Sequence, residues 1–560
     1  MDHRERFLGA VAGLIGAGVA LGAGELAAAV IRPQAAPLAV VGDAAIDLSP
    51  GWLKDFAIAT FGSSDKPVLV AGIAVVLGLC AAVAGAFAVH RPRVGLSAVG
   101  GLGALGLAAA LTRPDVRPLD GLPSVVAAVA AGWALHLLLW RRPAAKPVHQ
   151  NHQNHQTRSA RTARTAGARR PTGTRRQTGA AARGANGRAD GNGRAAGARQ
   201  PAAGALDRRR FLRTGGALAG AAAVVGVTGR EAQGARFDVE DSRAALRVPT
   251  PADTVPALPA GKQLNTPGAS RFYTPNSSFY RVDTAIVLPQ LRPETWSLRI
   301  HGMVDRPLTL NYDKLVARSL VERDVTLTCV SDDVGGPYVG NARWIGAHLA
   351  ELLDEAGIQS GANQLVSRSA DGLTVGTPTS VVTDGRDAML AVAMNGDPLP
   401  VKHGFPVRMV VPGLFGYVSA CKWIVDIEVT TFDAFDAYWV ERGWARKGPI
   451  VTQSRIDTPK VDASLTAGPV AIAGVAWAQH RGIEKVEVQV DSGPWHTCVL
   501  GGVPSTDTWR QWAYHWNATP GPHQLRVRAT DETGQTQPQQ RTSPFPSGAT
   551  GWHTVAVTVT

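Results

Sequence analysis

Cys329 has the residue type and the setting of a soft-metal ligand. It ends the apolar run Val325-Thr-Leu-Thr and opens the small, flexible stretch Val330-Ser-Asp-Asp-Val-Gly-Gly-Pro-Tyr-Val-Gly340. A thiol delivered by a strand end into a glycine-rich loop can bind a soft metal that keeps open coordination positions, because thiolate is the side-chain donor such metals prefer. Taken alone, a cysteine beside apolar residues is usually a small core hydrophobe. Farther along, His403-Gly-Phe-Pro-Val-Arg408 leads into Val411-Pro-Gly413 and then Gly416-Tyr-Val-Ser-Ala-Cys-Lys-Trp423. Here His, Arg and Lys are interleaved with glycines and a serine, a set suited to gripping a phosphate and the donor and acceptor edge of a heterocycle.

Together these segments resemble the oxidoreductase molybdopterin-binding domain of the sulfite oxidase family. The resemblance runs from about Phe272 to Thr560 and takes in Tyr273-Thr-Pro-Asn-Ser-Ser-Phe-Tyr280, Arg299-Ile-His-Gly-Met303 and Met394-Asn-Gly-Asp-Pro-Leu-Pro400. It implies a molybdenum-molybdopterin cofactor, with Cys329 as the catalytic metal ligand and Asn276, His403, Arg408, Ser419 and Lys422 as cofactor-binding residues. Arg408 is the better candidate for the cofactor phosphate. Asn276 also reads as an Asx turn after proline, and Trp344 and Trp423 as core packing. Oxygen-atom transfer on a small-molecule substrate, with an unidentified electron-transfer partner, is the activity implied. Relatives that oxidise sulfite place arginine a few residues beyond the cysteine. This chain has Asp332 and Asp333 there, with no basic residue until Arg343. Two carboxylates near the mouth would repel an anion by about 1 kcal/mol each at 4 Å in water, so the expectation is a neutral or cationic substrate, a sulfoxide or N-oxide rather than sulfite, and a reductase.

The elements that must position these residues are short β-type runs, Trp296–Ile300, Asp324–Thr328, Leu365–Arg368 and Val407–Val411, with one clear helix, His348–Gly357. That pattern reads as α+β, and the resemblance implies the sulfite oxidase type of molybdopterin domain over 231–447. Beyond it, Val470–Trp477, Ile483–Val490, Trp509–Tyr514, His523–Thr530 and His553–Thr558 mostly alternate with period two. An all-β immunoglobulin-like sandwich fits 448–560. In the family this module often mediates dimerisation, so Trp495, Trp509, Trp512 and Trp516 are either homodimer contacts or sandwich core.

The net charge of +13 is confined to one place. Between Arg141 and Arg213 stand 18 Lys and Arg against two acids, whereas the rest has 39 basic and 42 acidic residues. The block at 141–207 is nearly free of large apolar residues and reads as a disordered cytoplasmic linker. It lacks the interleaved aromatics of a nucleic-acid binder, so no nucleic-acid partner is expected. The four cysteines, at 80, 329, 421 and 498, share no metal-site spacing, and a disulfide framework, covalent haem and iron-sulfur sites are not indicated. A second reading from another class is a catalytically silent sensor or scaffold. Cys329 and the His403/Arg408 pair argue against it.

Four Gly- and Ala-rich stretches of membrane-spanning length, Phe7–Ile31, Val68–Val89, Val94–Leu111 and Leu122–Trp140, make 1–140 a transmembrane region in contact with lipid. A fifth, weaker stretch runs over Gly215–Val227. Arg4, Arg6, His90-Arg-Pro-Arg93 and the linker place those segments in the cytoplasm, so everything after about residue 230 faces outward. Asp207-Arg-Arg-Arg-Phe-Leu-Arg213 resembles a twin-arginine export signal, with Arg208-Arg209 as the pair and Asp207 in place of the usual Ser or Thr. The segment 208–230 therefore combines signal and fifth span. His90 and His136 read as haem ligands or helix-end histidines. Glu25, inside the first span, is a functional candidate whose partner the sequence does not name.

Overall fold

Glycine and alanine decide how the amino-terminal helices pack. The computed structural model describes residues 3–50, 53, 56, 60–61, 65–140, 208–255, 258 and 263–560; the linker expected at 141–207 lies outside them. The helices are α1 (His3–Ile31), α2 (Pro37–Leu48), α3 (Asp65–Ala88), α4 (Pro92–Leu111), α5 (Leu122–Leu135, continued by a π turn to Trp140) and α6 (Arg208–Phe237). All but α2 are long and apolar enough to cross a membrane. A Cβ on Gly13 would lie 1.9 Å from the Ala81 carbonyl oxygen, so α1 and α3 touch backbone to backbone, an approach that glycine permits.

The helix expected at Gly215–Val227 is longer, because the flanking Arg, Glu, Gln and Ala residues are good helix formers. It runs parallel to α1: Gly215 meets Ile15, Ala222 meets Gly22 and Gly229 meets Leu26. Glu25 finds its partner there, accepting a 2.9 Å bond from Gln233 Nε2, with Arg230 at 3.8 Å. His90 lies 3.7 Å from Glu5, and His136 packs edge-on against Trp140.

Between the spans and the catalytic domain lies a layer of paired charges. Arg32 bonds Asp115 and Asp120, and Arg113 bonds Asp115 and Asp43. Between α1 and α3, α2 packs on the catalytic domain. A Cβ on Gly42 would meet Ile286 at 2.3 Å, and Asp47 accepts the Tyr438 hydroxyl at 2.7 Å.

After α7 (Glu240–Ala245), the catalytic domain has, among its described residues, ten strands and four short α-helices. The strands are β1 (Ser297–Gly302), β2 (Leu308–Asn311), β3 (Leu320–Thr328), β4 (Val339–His348), β5 (Gln364–Ser369), β6 (Thr374–Pro378), β7 (Met389–Met394), β8 (Asp397–Pro398), β9 (Arg408–Val410) and β10 (Ile424–Thr430). One sheet has the order β2-β1-β10-β5-β6; the other is β3-β4-β7-β8, with β9 also on β7. The helices are α8 (Tyr312–Val316), α9 (Leu349–Ala356), α10 (Thr379–Val382) and α11 (Gly416–Ser419). On α9, Leu349, Leu352, Leu353 and Ala356 recur at helical spacing and are buried, and Gly357 at φ 70° stops the helix.

The carboxyl-terminal region is two sheets over one apolar core. The first is β11-β13-β17-β16 and the second β12-β19-β18-β14-β15. Their strands are β11 (Gln453–Thr458), β12 (Ala463–Leu465), β13 (Gly468–Trp477), β14 (Ile483–Val490), β15 (Trp495–Thr497), β16 (Val499–Leu500), β17 (Arg510–Ala518), β18 (Gly521–Asp531) and β19 (His553–Val559). Trp512 and Trp516 are buried in the core between these sheets, whereas Trp509 is buried in a cluster with Phe272 and Val330 of the catalytic domain and donates to the Phe272 carbonyl at 2.9 Å, so burial within the chain takes all three off a dimer surface. Trp495 is half-buried against Trp552 and Arg528. Gln479 Nε2 donates to the Thr326 carbonyl at 2.9 Å and to Thr328 Oγ1 at 3.0 Å, bracing the end of β3.

Candidate functional site

Cys329 follows β3 directly, so the ladder between β3 and β4 fixes its height. Its N–H donates to the Tyr338 carbonyl at 2.9 Å, and the turn closes when Asp332 N–H donates to the Cys329 carbonyl. The side chain of Asp332 then completes the loop, Oδ1 accepting the Tyr338 N–H at 2.6 Å. Sγ borders a cavity whose wall also includes His403, Arg408 and Lys422. Burial pushes the thiol up to about 11, against the Ser331 N–H that lies 3.4 Å from Sγ. A cation placed against Sγ is what would convert this thiol to thiolate.

Three further groups surround that sulfur. His403 sits on the turn Val401–His403, its ring held by the Asn276 carbonyl at 3.3 Å and by the edge of Phe279. Burial, then the charge of Arg408, drives it down to about 3, so it is neutral. Gly404 at φ 111° lets the chain turn tightly enough for Arg408 to come back to it: a Cβ there would stand 2.9 Å from Arg408 Cβ. Arg408 Nη1 donates to the His403 carbonyl at 3.1 Å and the guanidinium lies over Trp344, while Nε is buried with no partner. Burial lowers it to about 10. Lys422, over the Trp423 ring, donates to Asp283 Oδ2 at 2.7 Å and is lowered by burial to about 8, the carboxylate opposing that fall.

This donor set fits a molybdenum-molybdopterin cofactor. An unsatisfied nitrogen on a buried guanidinium that has no carboxylate partner among the described residues is a receptor for an anionic group, and a phosphate supplies one. Cys329 supplies a soft donor on the same cavity.

Two expected contacts fall elsewhere. The Ser419 hydroxyl is buried and spent on the carbonyls of Leu414 and Phe415, locking α11. Asn276 turns its side chain away, donating to the Met394 carbonyl at 3.1 Å and accepting from Asn395 at 2.9 Å, so only its carbonyl reaches His403. The charge argument from Asp332 and Asp333 is also corrected, because neither lines the cavity. Asp332 is buried in loop closure, and Asp333 is exposed and 3.4 Å from Arg541. Sequence reasoning missed Tyr280, Asp283, Tyr417, Trp439 and Trp444, all on the cavity wall. Tyr280 and Tyr417 lie inside the motif segments; Asp283, Trp439 and Trp444 carry no local signal.

Residues 285–439 match the family model described as the oxidoreductase molybdopterin binding domain. That span includes Cys329, His403, Arg408, Ser419 and Lys422 and excludes Asn276. The chain is 27% identical over 317 residues to mitochondrial sulfite oxidase of Homo sapiens, covering 48% of this chain and 57% of that protein. It is 28% identical over 334 residues to NADH nitrate reductase 1 of Oryza sativa subsp. japonica, covering 48% and 36%. Among solved structures, sulfane dehydrogenase SoxCD from Paracoccus pantotrophus aligns with TM-score 0.43 at 24% identity, over 51% of this chain and 82% of that one. The chain thus spans little more than half the length of the sulfite oxidase it matches.

Proposed function

Because this chain belongs, through residues 285–439, to the sulfite oxidase family of molybdopterin-binding oxidoreductases, we propose that it is a membrane-bound enzyme whose extracytoplasmic domain reduces a small neutral oxide. Cys329 is the metal ligand. Arg408 takes the cofactor phosphate, His403 and Lys422 take the pterin edge, and Asn276 and Ser419 position that shell through the backbone. Once bound, the cofactor supplies two-electron oxygen-atom transfer.

The observation that carries the substrate class is the composition of the wall left for a substrate. Among the described residues its charged groups are Arg408, Lys422 and Asp283, which the cofactor and their own ion pair engage, and His403 is neutral; the rest is aromatic, aliphatic or hydroxylic, with Tyr280, Tyr417, Trp439 and Trp444 prominent. Such a wall favours a neutral guest and excludes water. Burial, then the neighbouring Cys329, holds the Tyr280 hydroxyl well above its ordinary range, so it remains a proton donor toward an oxide oxygen. The parallel course of α6 and α1 supports outward placement, since it carries the catalytic domain to the side on which α1 ends. Steady-state turnover of a dialkyl sulfoxide, a trialkylamine N-oxide and sulfite, each with a redox dye, is the test. Oxide reduction should exceed sulfite oxidation by more than about tenfold in kcat/KM; efficient sulfite oxidation overturns the reading.

A further inference from the structure

One wall of the catalytic cavity is held from α2. Trp439 lines that cavity, and Tyr438, the residue before it, lines a smaller cavity of about 40 Å³ that shares Thr284 and Leu373 with the first. Asp43, Ile46 and Asp47 of α2 also line the smaller cavity. The two spaces therefore have a wall in common, and α2 closes the outer one. The segment between β10 and β11, which carries Tyr438, Trp439 and Trp444, contains no helix or ladder strand. Backbone hydrogen bonding of regular structure does not fix these rings, so side-chain contacts must.

Those contacts run from α2 to the cavity. Asp47 Oδ1 accepts the Tyr438 hydroxyl at 2.7 Å. The Arg442 guanidinium lies 3.5 Å from the Tyr438 ring centroid, with Nη2 3.8 Å from the same Asp47 oxygen and Nη1 donating to the Tyr438 carbonyl at 2.8 Å. Tyr438 N–H donates to Thr374 Oγ1 on β6 at 2.9 Å. The Tyr438 ring meets the Trp439 ring edge to face, centroids 5.1 Å apart at 84°, and Trp439 meets Trp444 at 6.4 Å and 83°. Rings packed at right angles interlock, so a shift of Tyr438 is passed to Trp439. Burial, then the bond to Asp47, holds the Tyr438 phenol well above its ordinary range, and it remains a donor near neutrality.

We propose that Asp47 is a positioning residue for the substrate: through Tyr438 and Arg442 it sets the pose of Trp439, so that α2 determines how closely the cavity wall fits a bound oxide. This assignment rests on the oxide-reductase reading of the cavity. A carboxylate that only pinned α2 to the catalytic domain would change stability and leave substrate preference alone.

The test uses full-length protein in mild detergent, a reduced redox dye as electron donor, and two probe substrates, dimethyl sulfoxide and the bulkier dibutyl sulfoxide. The Asp47 side chain is 41% exposed and Tyr438→Phe keeps the ring, so both sites tolerate substitution without loss of the fold. Asp47→Ala and Tyr438→Phe should each raise KM for the preferred sulfoxide about fivefold, on the scale of one hydrogen bond, with kcat and molybdenum content unchanged, and should narrow the kcat/KM ratio between the two sulfoxides. Asp47→Asn still offers an oxygen to the Tyr438 hydroxyl and should bring KM back to within about twofold of the parent. KM and the ratio unchanged in both variants, or kcat and molybdenum content falling in step with a rise in KM, overturns the proposal. If the parent oxidises sulfite and leaves sulfoxides untouched, the oxide reading fails and the same split between KM and kcat is read with sulfite; if sulfoxides turn over and neither variant moves KM, this inference alone fails.

Discussion

Asp283→Asn is the substitution by which the charge arrangement at the cofactor cavity can be measured. The carboxylate is 1% exposed and is shared by Lys66 of α3, Arg281 at 2.7 Å and Lys422 at 2.7 Å. Burial alone would raise its pKa, but Lys422, Arg281 and Lys66 together hold it far below the usual carboxylate range. Removing one partner of a buried ion pair costs about 3–5 kcal/mol, because the remaining charge stays desolvated. At about 2–4 °C per kcal/mol for a domain of this size, the thermal midpoint should fall by roughly 6–20 °C at pH 7.5. The sign with pH follows from the depressed folded pKa: the stabilisation is fully present above the unfolded value near 4 and is lost as pH falls through that region toward the folded value. Melting curves of detergent-solubilised protein and variant between pH 3.5 and 8 read both effects. A shift under about 2 °C at pH 7.5, or a difference unchanged down to pH 3.5, would refute the reasoning. Lys422 should also lose its orientation, and molybdenum content should drop with it.

Cys329→Ser should abolish oxide reduction while the fold persists, since a hydroxyl is a poor substitute for thiolate on molybdenum; full turnover in a folded, metal-loaded variant would remove the ligand assignment. Changing Arg208 and Arg209 together to Lys should strand the catalytic domain in the cytoplasm, and unchanged external proteolysis in protoplasts would show the pair to be ordinary linker charge. Asp332→Asn should stabilise. Burial pushes that carboxyl up to about 7, opposed by the Tyr338 N–H, so its ionised form destabilises the fold as pH rises from about 4 through 7. The variant should melt higher at pH 8 by the equivalent of about 2–4 kcal/mol and match the parent near pH 4; a lower midpoint at pH 8 would contradict the account.

How much of this was readable in advance depends on the range of the interaction. Cys329, His403, Arg408 and Lys422 stand in local motifs whose turn residues already dictate a backbone that brings them to one cavity, and Gly404 shows how. The helix at α9 and the period-two strands after residue 468 were legible for the same reason. Asn276 and Ser419 show the limit of motif adjacency, because a side chain that can contact a ligand can also satisfy a backbone carbonyl, and sequence spacing does not separate the two. Asp332 was misread as a charge at the mouth because its partner, Tyr338 N–H, becomes available only after the loop has closed. The sheet order β2-β1-β10-β5-β6 depends on pairings between distant strands, which periodicity does not specify.

Lys66 was invisible in the sequence for the strongest form of that reason. It stands in the first turn of the apolar helix α3, yet it reaches 217 positions along the chain to Asp283. Asp283 in turn restrains Lys422, one of the few charged groups on the cofactor cavity. A span that served only as an anchor would have no reason to place an ammonium against a nearly buried carboxylate of the catalytic domain, because an exposed pair of that kind contributes less than about 1 kcal/mol. The burial of this cluster, together with α2 packed on Ile286, couples the apolar amino-terminal helices to the site itself. A catalytic domain released from its helices by proteolysis should therefore hold its cofactor less firmly than the full chain, even with every motif residue present.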